Sequence, residues 1–558
     1  MNGNNKNSEN SRGFFWLILI IGIVLLVFFH KSFESGWTIF SNDGPLGWVK
    51  SKANSYPGAF FGSWQDLNWI GAAMPSASPN STSLLGLLTT PEIFSKIYPP
   101  FTIFILALCA WLFFRQLQFS PAVCILGALA AALNINFFSG VCWGQGSRPL
   151  SLAAAFLALA AITNAVRGRH SWIKICLAGL AVGWGVSEAF DVGALFSLFV
   201  GAFILFITFL EPQPPAKKIS RGIGRVTLLI LFSVLMAAQT IVTLLGTALQ
   251  GPTGGVPEDS RAKWNFITQW SSPKIETLRV IIPGIFGYRM DSPNGGQYWG
   301  AVGQTTGVIT SRHSGSGEYA GILVALLAAS AVAYSFKKQN NPFSNPERKL
   351  IWFWSFMAFI SLLFSFGKYA PFYQLIYPLP FFSTMRSPMK FMHPFHLALI
   401  ILFGYGLQAL TRQYLQTATN KTGSLKIQFK KFATSAFAFE KKWAIVSILL
   451  VAVSFLGWLI YASSRKDLMA YLQTIGFDTT QAALISGFSI SEVGWFLLFL
   501  ILSVALILVI MSGWLAGPRA KWAAILLGAL LIVDLGRADL PWIVYWNYKE
   551  KYADNPVL

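Results

Sequence analysis

A chain of 558 residues, 54% of them hydrophobic and only 11% charged, falls outside the soluble globular class, in which about a quarter of residues are charged. Its mean hydropathy of +0.54 points to a polytopic membrane protein. The formal net charge of +20 raises nucleic acid as a partner, but the distribution of that charge assigns it to topology instead.

The chain opens on a polar tail, residues 1–13, followed by an apolar run at 14–30 that is about long enough to cross a bilayer. No small-residue cleavage site follows, so it reads as an uncleaved signal anchor. Residues 31–97 then form a polar loop rich in Gly, Pro, Ser, Asn and Trp, with no window able to span. Further apolar runs fall at 98–114, 121–138, 149–165, 172–187, 192–210, 226–249, 319–336, 350–366, 394–410, 443–462, 492–512 and 521–535. The expected fold is therefore an all-α polytopic membrane protein of about 13 transmembrane helices, with interfacial helices in a long first loop. Residues 14–410 make its core, including the loops 31–97, 250–317 and 367–393. A basic loop (411–442), C-terminal spans (443–535) and a tail (536–558) complete it.

With the N-terminus inside and the spans alternating, the inner segments hold about 23 Lys and Arg against about 4 acids. The longer outer segments hold about 19 against about 18. Almost all the excess charge thus lies on one side, as the positive-inside rule requires. The C-terminus falls outside. The basic loop 411–442 reads as an orientation signal on anionic headgroups rather than a nucleic-acid surface. Cys109, Cys124, Cys142 and Cys176 show no paired spacing and read as small hydrophobes. There is no phosphate-binding loop and no glycine fingerprint after a strand, which argues against nucleotide-driven chemistry.

The suspicious polar residues gather on the outer side. Asp43, in SNDGPLGW, is held by strong turn chemistry: it serves either as a cap or as a base for a hydroxyl nucleophile. Asp66, in GSWQDLNWIG, is a second acid or sugar-binding group in a Trp-rich stretch suited to headgroup depth, with Trp64 and Trp69 beside it. Glu188 and Asp191 are three apart between two apolar runs; they form a polar turn or a carboxylate pair facing a cavity. Arg148, Arg386 and Lys390 sit beside Pro-rich outer stretches, placed to meet a lipid phosphate or to snorkel. His393 and His396 flank Pro394, as packed histidines or a metal pair. The loop 250–317 is rich in Trp, Tyr and Gly and fits sugar stacking or packing on the membrane surface.

Several stretches carry a family resemblance over nearly the whole chain: Asp43 with the downstream WIGAAMP; FSGVCWGQGSRPLSLA; WSSPKIETLRVIIPGIFG followed by YWG and EYAGIL; and LPFFSTMRSPMKFMHPFHLAL. The last resembles a Leu-Pro…Arg-x-Pro-x-Arg/Lys-Phe signature. Together they resemble the YfhO-like bacterial membrane proteins, which belong with the GT-C glycosyltransferases. The resemblance implies a transferase in the bacterial inner membrane that takes a sugar from a polyprenyl-phosphate carrier at the outer face, with Asp43 as base and Arg386 and Lys390 on the phosphate. A divalent cation that activates the acceptor is the one cofactor entertained. The chain departs from the family at Gln145, where relatives often carry His. It also stops at YADNPVL, where relatives often continue into an outer domain, so a short member or a fragment is expected. The rival readings are a non-catalytic GT-C subunit or scaffold of a membrane complex and, after it, a lipid or ion transporter using Glu188 and Asp191 as a relay.

Overall fold

The computed structural model describes residues 2–65, 72–74, 78–167, 170–243, 259–304, 312–379, 382–416, 424–435 and 437–551. Helix α1 (Asn2–Phe28) carries the first apolar run, and strand β1 (Trp37–Ile39) follows a short 3-10 turn. The polar first loop folds into α2 (Leu46–Asn54), the ribbon β2 (Ser63–Gln65) and β3 (Ala72–Met74), and α3 (Ser81–Leu88). The Asn80 side chain caps α3 by accepting from the Ser83 N–H at 2.8 Å. Helix α4 (Pro91–Gln116) starts on a Thr90 cap with Pro91 at its first position, where a missing N–H has no cost.

The run at 121–138 breaks into α5 (Pro121–Ala132) and α6 (Ile135–Cys142). Then come α7 (Ser147–Arg167), α8 (Ser171–Glu188), α9 (Phe190–Phe209), α10 (Pro215–Thr243) and the short α11 (Ser260–Ile267). The second half contains α12 (Ile322–Ser335), α13 (Asn345–Ser365), α14 (Phe372–Ile376), α15 (Met392–Leu410) and the basic α16 (Leu425–Ser435). It ends with α17 (Ala438–Ser463), α18 (Arg465–Thr474), α19 (Thr479–Met511), α20 (Ala520–Asp539), strand β4 (Tyr545–Asn547) and α21 (Tyr548–Lys551).

All thirteen apolar runs fall on helices as far as they are described. A lipid environment offers the backbone no hydrogen-bond partner, so an apolar segment must satisfy its own amides. Among the described residues, eight helices are long and apolar enough to cross a membrane, nine if α5 and α6 count as one broken span; the apolar stretch Arg12–Phe28 and α12 are shorter. The protein is an all-α, multi-pass membrane protein.

The chain divides into two compact units. The first comprises Met1–Gln118, Phe137–Phe266 and Trp542–Leu558. Within it α7 is central, packed on α4, α8 and α9, while α10 lies against α8 and α9 with most of its apolar surface outward. Gly179 and Gly183 let α8 approach α10: a Cβ at Gly179 would lie 2.7 Å from the Leu229 carbonyl oxygen, and one at Gly183 2.4 Å from that of Ser233. This is the small-xxx-small contact by which helices associate in lipid. Strand β4 pairs antiparallel with β1, Trp37 opposite Asn547 and Ile39 opposite Tyr545, which returns the end of the chain to the first loop.

The second unit comprises Phe119–Asn136 and Ile267–Pro541. Its centre is α15, buried almost throughout and packed on α5, α12 and α13. Helix α17 packs on α19 and, at its start, on Tyr334, Tyr414 and Ser330 through Phe439, Glu440 and Trp443, with most of its apolar surface outward. Two buried acids here are compensated by partners, as desolvation demands, whereas both oxygens of the buried Asp539 lack a hydrogen-bond partner among the described residues. Arg537 grips Glu492 with two bonds of 2.9 Å, and Asp534 accepts from the Tyr319 hydroxyl at 2.5 Å and the Ile322 N–H at 3.1 Å. Part of the loop 250–317 packs on this unit: Met290 and Trp299 lie on the apolar cluster of Leu472, Phe477 and Ile485. Burial and the neighbouring Glu276 push the Tyr298 phenol far above its usual range, so it remains a donor to Glu276 at 2.6 Å.

Candidate functional site

Asp43 is positioned by two short turns that lock together. In the first, the Ser41 hydroxyl accepts from the Gly44 N–H at 3.0 Å, the local side-chain turn that Ser, Asn and Asp favour. In the second, just after α6, the Trp143 carbonyl accepts from the Asp43 N–H at 3.0 Å and the Ser41 hydroxyl at 3.2 Å. Gly144 makes this contact possible: its φ is +99°, and a Cβ there would sit 2.1 Å from the Ser41 Oγ and 2.6 Å from the Gly44 nitrogen. The Gln145 amide then donates to Asp43 Oδ2. Oδ1 faces no donor among the described residues, and the side chain is exposed.

The carboxylate lines a cleft of about 290 Å³ that also presents Lys52, Tyr56, Tyr98, Gln145 and Glu188. That volume lies at the lower end for ligand pockets and suits a small polar ligand. Lys52, half-buried on α2, is a cation in the same cleft, with its ammonium 5.4 Å from the Trp48 ring centre.

Glu188 shares the cleft but has another task. Its Oε1 accepts from the Ser81 N–H at 2.6 Å and the Trp184 indole at 3.0 Å, and its Oε2 accepts from the Thr82 hydroxyl at 2.6 Å. Asn80 also donates to the Ser187 carbonyl at 2.6 Å. A buried carboxylate against the positive end of α3 thus ties the first loop to the end of α8. Asp191, in the first turn of α9, accepts from the adjacent Val192 N–H at 2.8 Å and is not part of the cleft lining.

Arg148 stands in the first turn of α7, its N–H on the Gln145 carbonyl at 3.1 Å, and is likewise outside the lining. Asp66 and Trp69 lie outside the described residues. Arg386 and Lys390 belong to the second unit. There Arg386 is exposed and donates to the Gln269 side chain at 2.6 Å. Ser387, with φ of +80°, separates it from the 3-10 turn Pro388–Phe391 that contains Lys390. Backbone bonds from Ser387 to Ile267 (3.0 Å) and from Met389 to Trp270 (3.1 Å) pin this stretch.

His393 and His396 take part in a buried polar network. His393 Nδ1 lies 2.5 Å from Asn136 Oδ1; His396 lies 3.1 Å from Asn134 Nδ2 on one side and 3.3 Å from Glu318 Oε2 on the other. Asn136 completes it by donating to Glu318 at 3.1 Å. No group of three His, Cys, Asp or Glu side chains suited to a metal occurs among the described residues. In the cleft, Asp43 offers a divalent cation one open oxygen while Glu188 is committed to α3. The described residues therefore make no all-protein cage for such a cation, which would have to complete its shell with water and substrate phosphate.

Beside the cleft runs an apolar groove of about 610 Å³ between α4, α7, α8 and α10, lined by Leu112, Leu157, Leu177, Leu180, Trp184 and Met236 among others. A polar chain, Lys174 to Asn164 to Gln116, closes one end. Trp184, whose indole holds Glu188, stands ten residues along α8 from Lys174, roughly 15 Å at 1.5 Å per residue. Lys52, Tyr98 and the groove were not apparent in the sequence. No protein-family model, curated protein or solved structure matches the chain.

Proposed function

We propose that the protein is a YfhO-like glycosyltransferase of the GT-C type that moves a sugar from a polyprenyl-phosphate carrier to an acceptor hydroxyl. The observation that carries this reading is the pairing of Asp43 and Lys52 in one cleft, with Trp184 forming a wall common to that cleft's Glu188 anchor and the apolar groove. A prenyl chain suits the groove, and a sugar phosphate suits the cleft.

In the reaction, Asp43 Oδ1 takes the proton of the acceptor hydroxyl while the hydroxyl oxygen bonds to the anomeric carbon. The bond from that carbon to the phosphate oxygen breaks, and polyprenyl phosphate leaves with the electron pair. Lys52 stabilises the charge that develops on the phosphate, the term that usually dominates such a step. Gln145 keeps Oδ2 occupied and turns Oδ1 to the acceptor. Arg148, in the same unit, is a further candidate phosphate contact, and Asp66 a candidate acceptor contact; the roles that the family resemblance gives Arg386 and Lys390 on the phosphate are not built into this cleft, since both belong to the second unit. Thirteen crossings, with the N-terminus inside and the cleft on the outer face of a bacterial inner membrane, follow from the positive-inside bias.

A second reading, a non-catalytic subunit of the same fold, is favoured by the exposure of Asp43, which leaves the carboxylate open to water rather than enclosed with an acceptor. The transporter reading needs a labile Glu188, whose two oxygens are held by Ser81, Thr82 and Trp184. The test uses a deletion strain and envelope sugar analysis. Asp43→Asn is expected to reproduce the deletion, with transfer down at least about a hundredfold for a lost base. Lys52→Ala is expected to lower transfer without altering protein level. Full sugar modification with Asp43→Asn, where the deletion has none, gives the answer to the scaffold.

A further inference from the structure

A second cleft lies in the first unit at the other end of the same helices. It is lined by Ser171 at the start of α8 and by Glu211 just past the end of α9, together with Trp172, Gln213, Arg221 and Arg225. Glu188 is seventeen residues along α8 from Ser171, roughly 26 Å at the helical rise, close to the depth of a hydrocarbon core. The two clefts are thus separated along α8 by about the depth of a bilayer core.

The chemistry of this cleft, of about 440 Å³, is that of an anion site. Two guanidinium groups meet one carboxylate: Arg225 approaches Glu211 Oε1 at 2.5 Å and Arg221 approaches Oε2 at 3.2 Å. Glu211 neutralises one positive charge, leaving one. The Arg225 side chain is only 7% exposed and is fixed by a 2.9 Å bond to the Thr208 hydroxyl. Its buried Nε–H nevertheless has no acceptor among the described residues, an uncompensated donor of the kind that interiors avoid. Arg221, 45% exposed, carries further donors at the mouth. Trp172 is half-exposed beside it and packs over Gly224, where a Cβ would lie 3.5 Å from the indole edge. Ile219 and Ile223 on α10 are exposed on the same short stretch. An indole at headgroup depth beside apolar side chains and forked cations is the surrounding that a phosphate attached to acyl chains requires.

We propose that this cleft binds a phosphate group, that of an anionic phospholipid headgroup, between Arg221 and Arg225 and in competition with Glu211. The guanidinium forks take the phosphate oxygens, Trp172 lies along the glycerol region, and α10 supports the chains. The same donors accept a free phosphate anion, so the two sources are separated by experiment.

The full-length protein in detergent is titrated with dioleoylphosphatidylglycerol, with dioleoylphosphatidylcholine and with inorganic phosphate, and bound adducts are counted by native mass spectrometry. Phosphatidylglycerol is expected to bind at least about tenfold more tightly than phosphatidylcholine. Arg221→Gln, at a largely exposed position, is expected to weaken it about tenfold. Glu211→Gln, which removes the internal competitor, is expected to strengthen it. This gain cannot arise from misfolding, so the test does not depend on the fate of an Arg225 variant. Inorganic phosphate that shows the same two responses while the lipid shows neither supports a phosphate site and assigns it to a soluble anion. Equal binding of the two lipids, with no response of lipid or phosphate to either substitution, overturns the proposal.

Discussion

Replacing Gly144 by alanine tests whether Asp43 is held where the cleft needs it. The backbone there has φ of +99°, a region that costs a residue with a side chain about 1–3 kcal/mol. The new methyl would overlap the Ser41 Oγ at 2.1 Å and the Gly44 nitrogen at 2.6 Å, so the two turns must part. Parting breaks two bonds to the Trp143 carbonyl, at about 1 kcal/mol each. The docked turn is thus disfavoured by about 3–5 kcal/mol, a population shift of a hundredfold or more. Because the strain is confined to two surface turns, the melting temperature should change little. Hydrogen exchange read by mass spectrometry should show faster exchange over the peptide containing Asp43 and Gly44, with α7 and α8 unaltered. Transfer should fall in parallel. If Gly144→Ala keeps wild-type exchange in that peptide, the two turns do not depend on each other and the account of how Asp43 is positioned is wrong.

Two further expectations concern the scaffold. Gly183→Leu should prevent α8 from seating on α10, since even a Cβ would lie 2.4 Å from the Ser233 carbonyl; the detergent-solubilised protein should lose its folded gel-filtration peak, whereas Gly224→Ala, with its nearest neighbour at 3.5 Å, should keep it. Arg537→Met leaves the buried Glu492 uncompensated and should cost about 3–5 kcal/mol. Pairing it with Glu492→Leu should restore much of the loss in thermal melts, and a double variant as unstable as the single one would show that the ion pair is not the source.

Helix positions were largely legible in the sequence because bilayer thickness and backbone hydrogen bonding constrain them together. An apolar run of the right length has one way to bury its amides. Capping obeys the same local rule, although it shows only in the structure: Thr90 caps α4 before Pro91, and Asp478 accepts from the Gln481 N–H at 2.8 Å. The break of the run 121–138 at Leu133 was less so, since Asn134 and Asn136 are the only polar marks in it and their partners, His396, Glu318 and His393, come much later in the chain.

The residue types of the cleft could be read from the sequence, but their tasks could not. Asp43 and Glu188 both looked like outer carboxylates near a turn. Which one is open and which is spent on α3 depends on Gln145, 102 positions from Asp43, and on Ser81, 107 positions from Glu188. Lys52 carried no signal, since a lysine on a short amphipathic helix is ordinary until the helix is docked. Sequence alone, through local hydrophobicity and length, determined a helical, multi-pass membrane protein, and its charge bias supplies the expectation that the basic loops share one side. Tertiary structure alone decided that Trp37 to Ile39 pairs with Tyr545 to Asn547, that residues 119–136 join the later unit, and that one carboxylate remains available. The physical reason is one of range: amide satisfaction and capping act within a few residues, whereas the partners of a buried charge are set by whichever distant segments the packing brings within 3 Å or so.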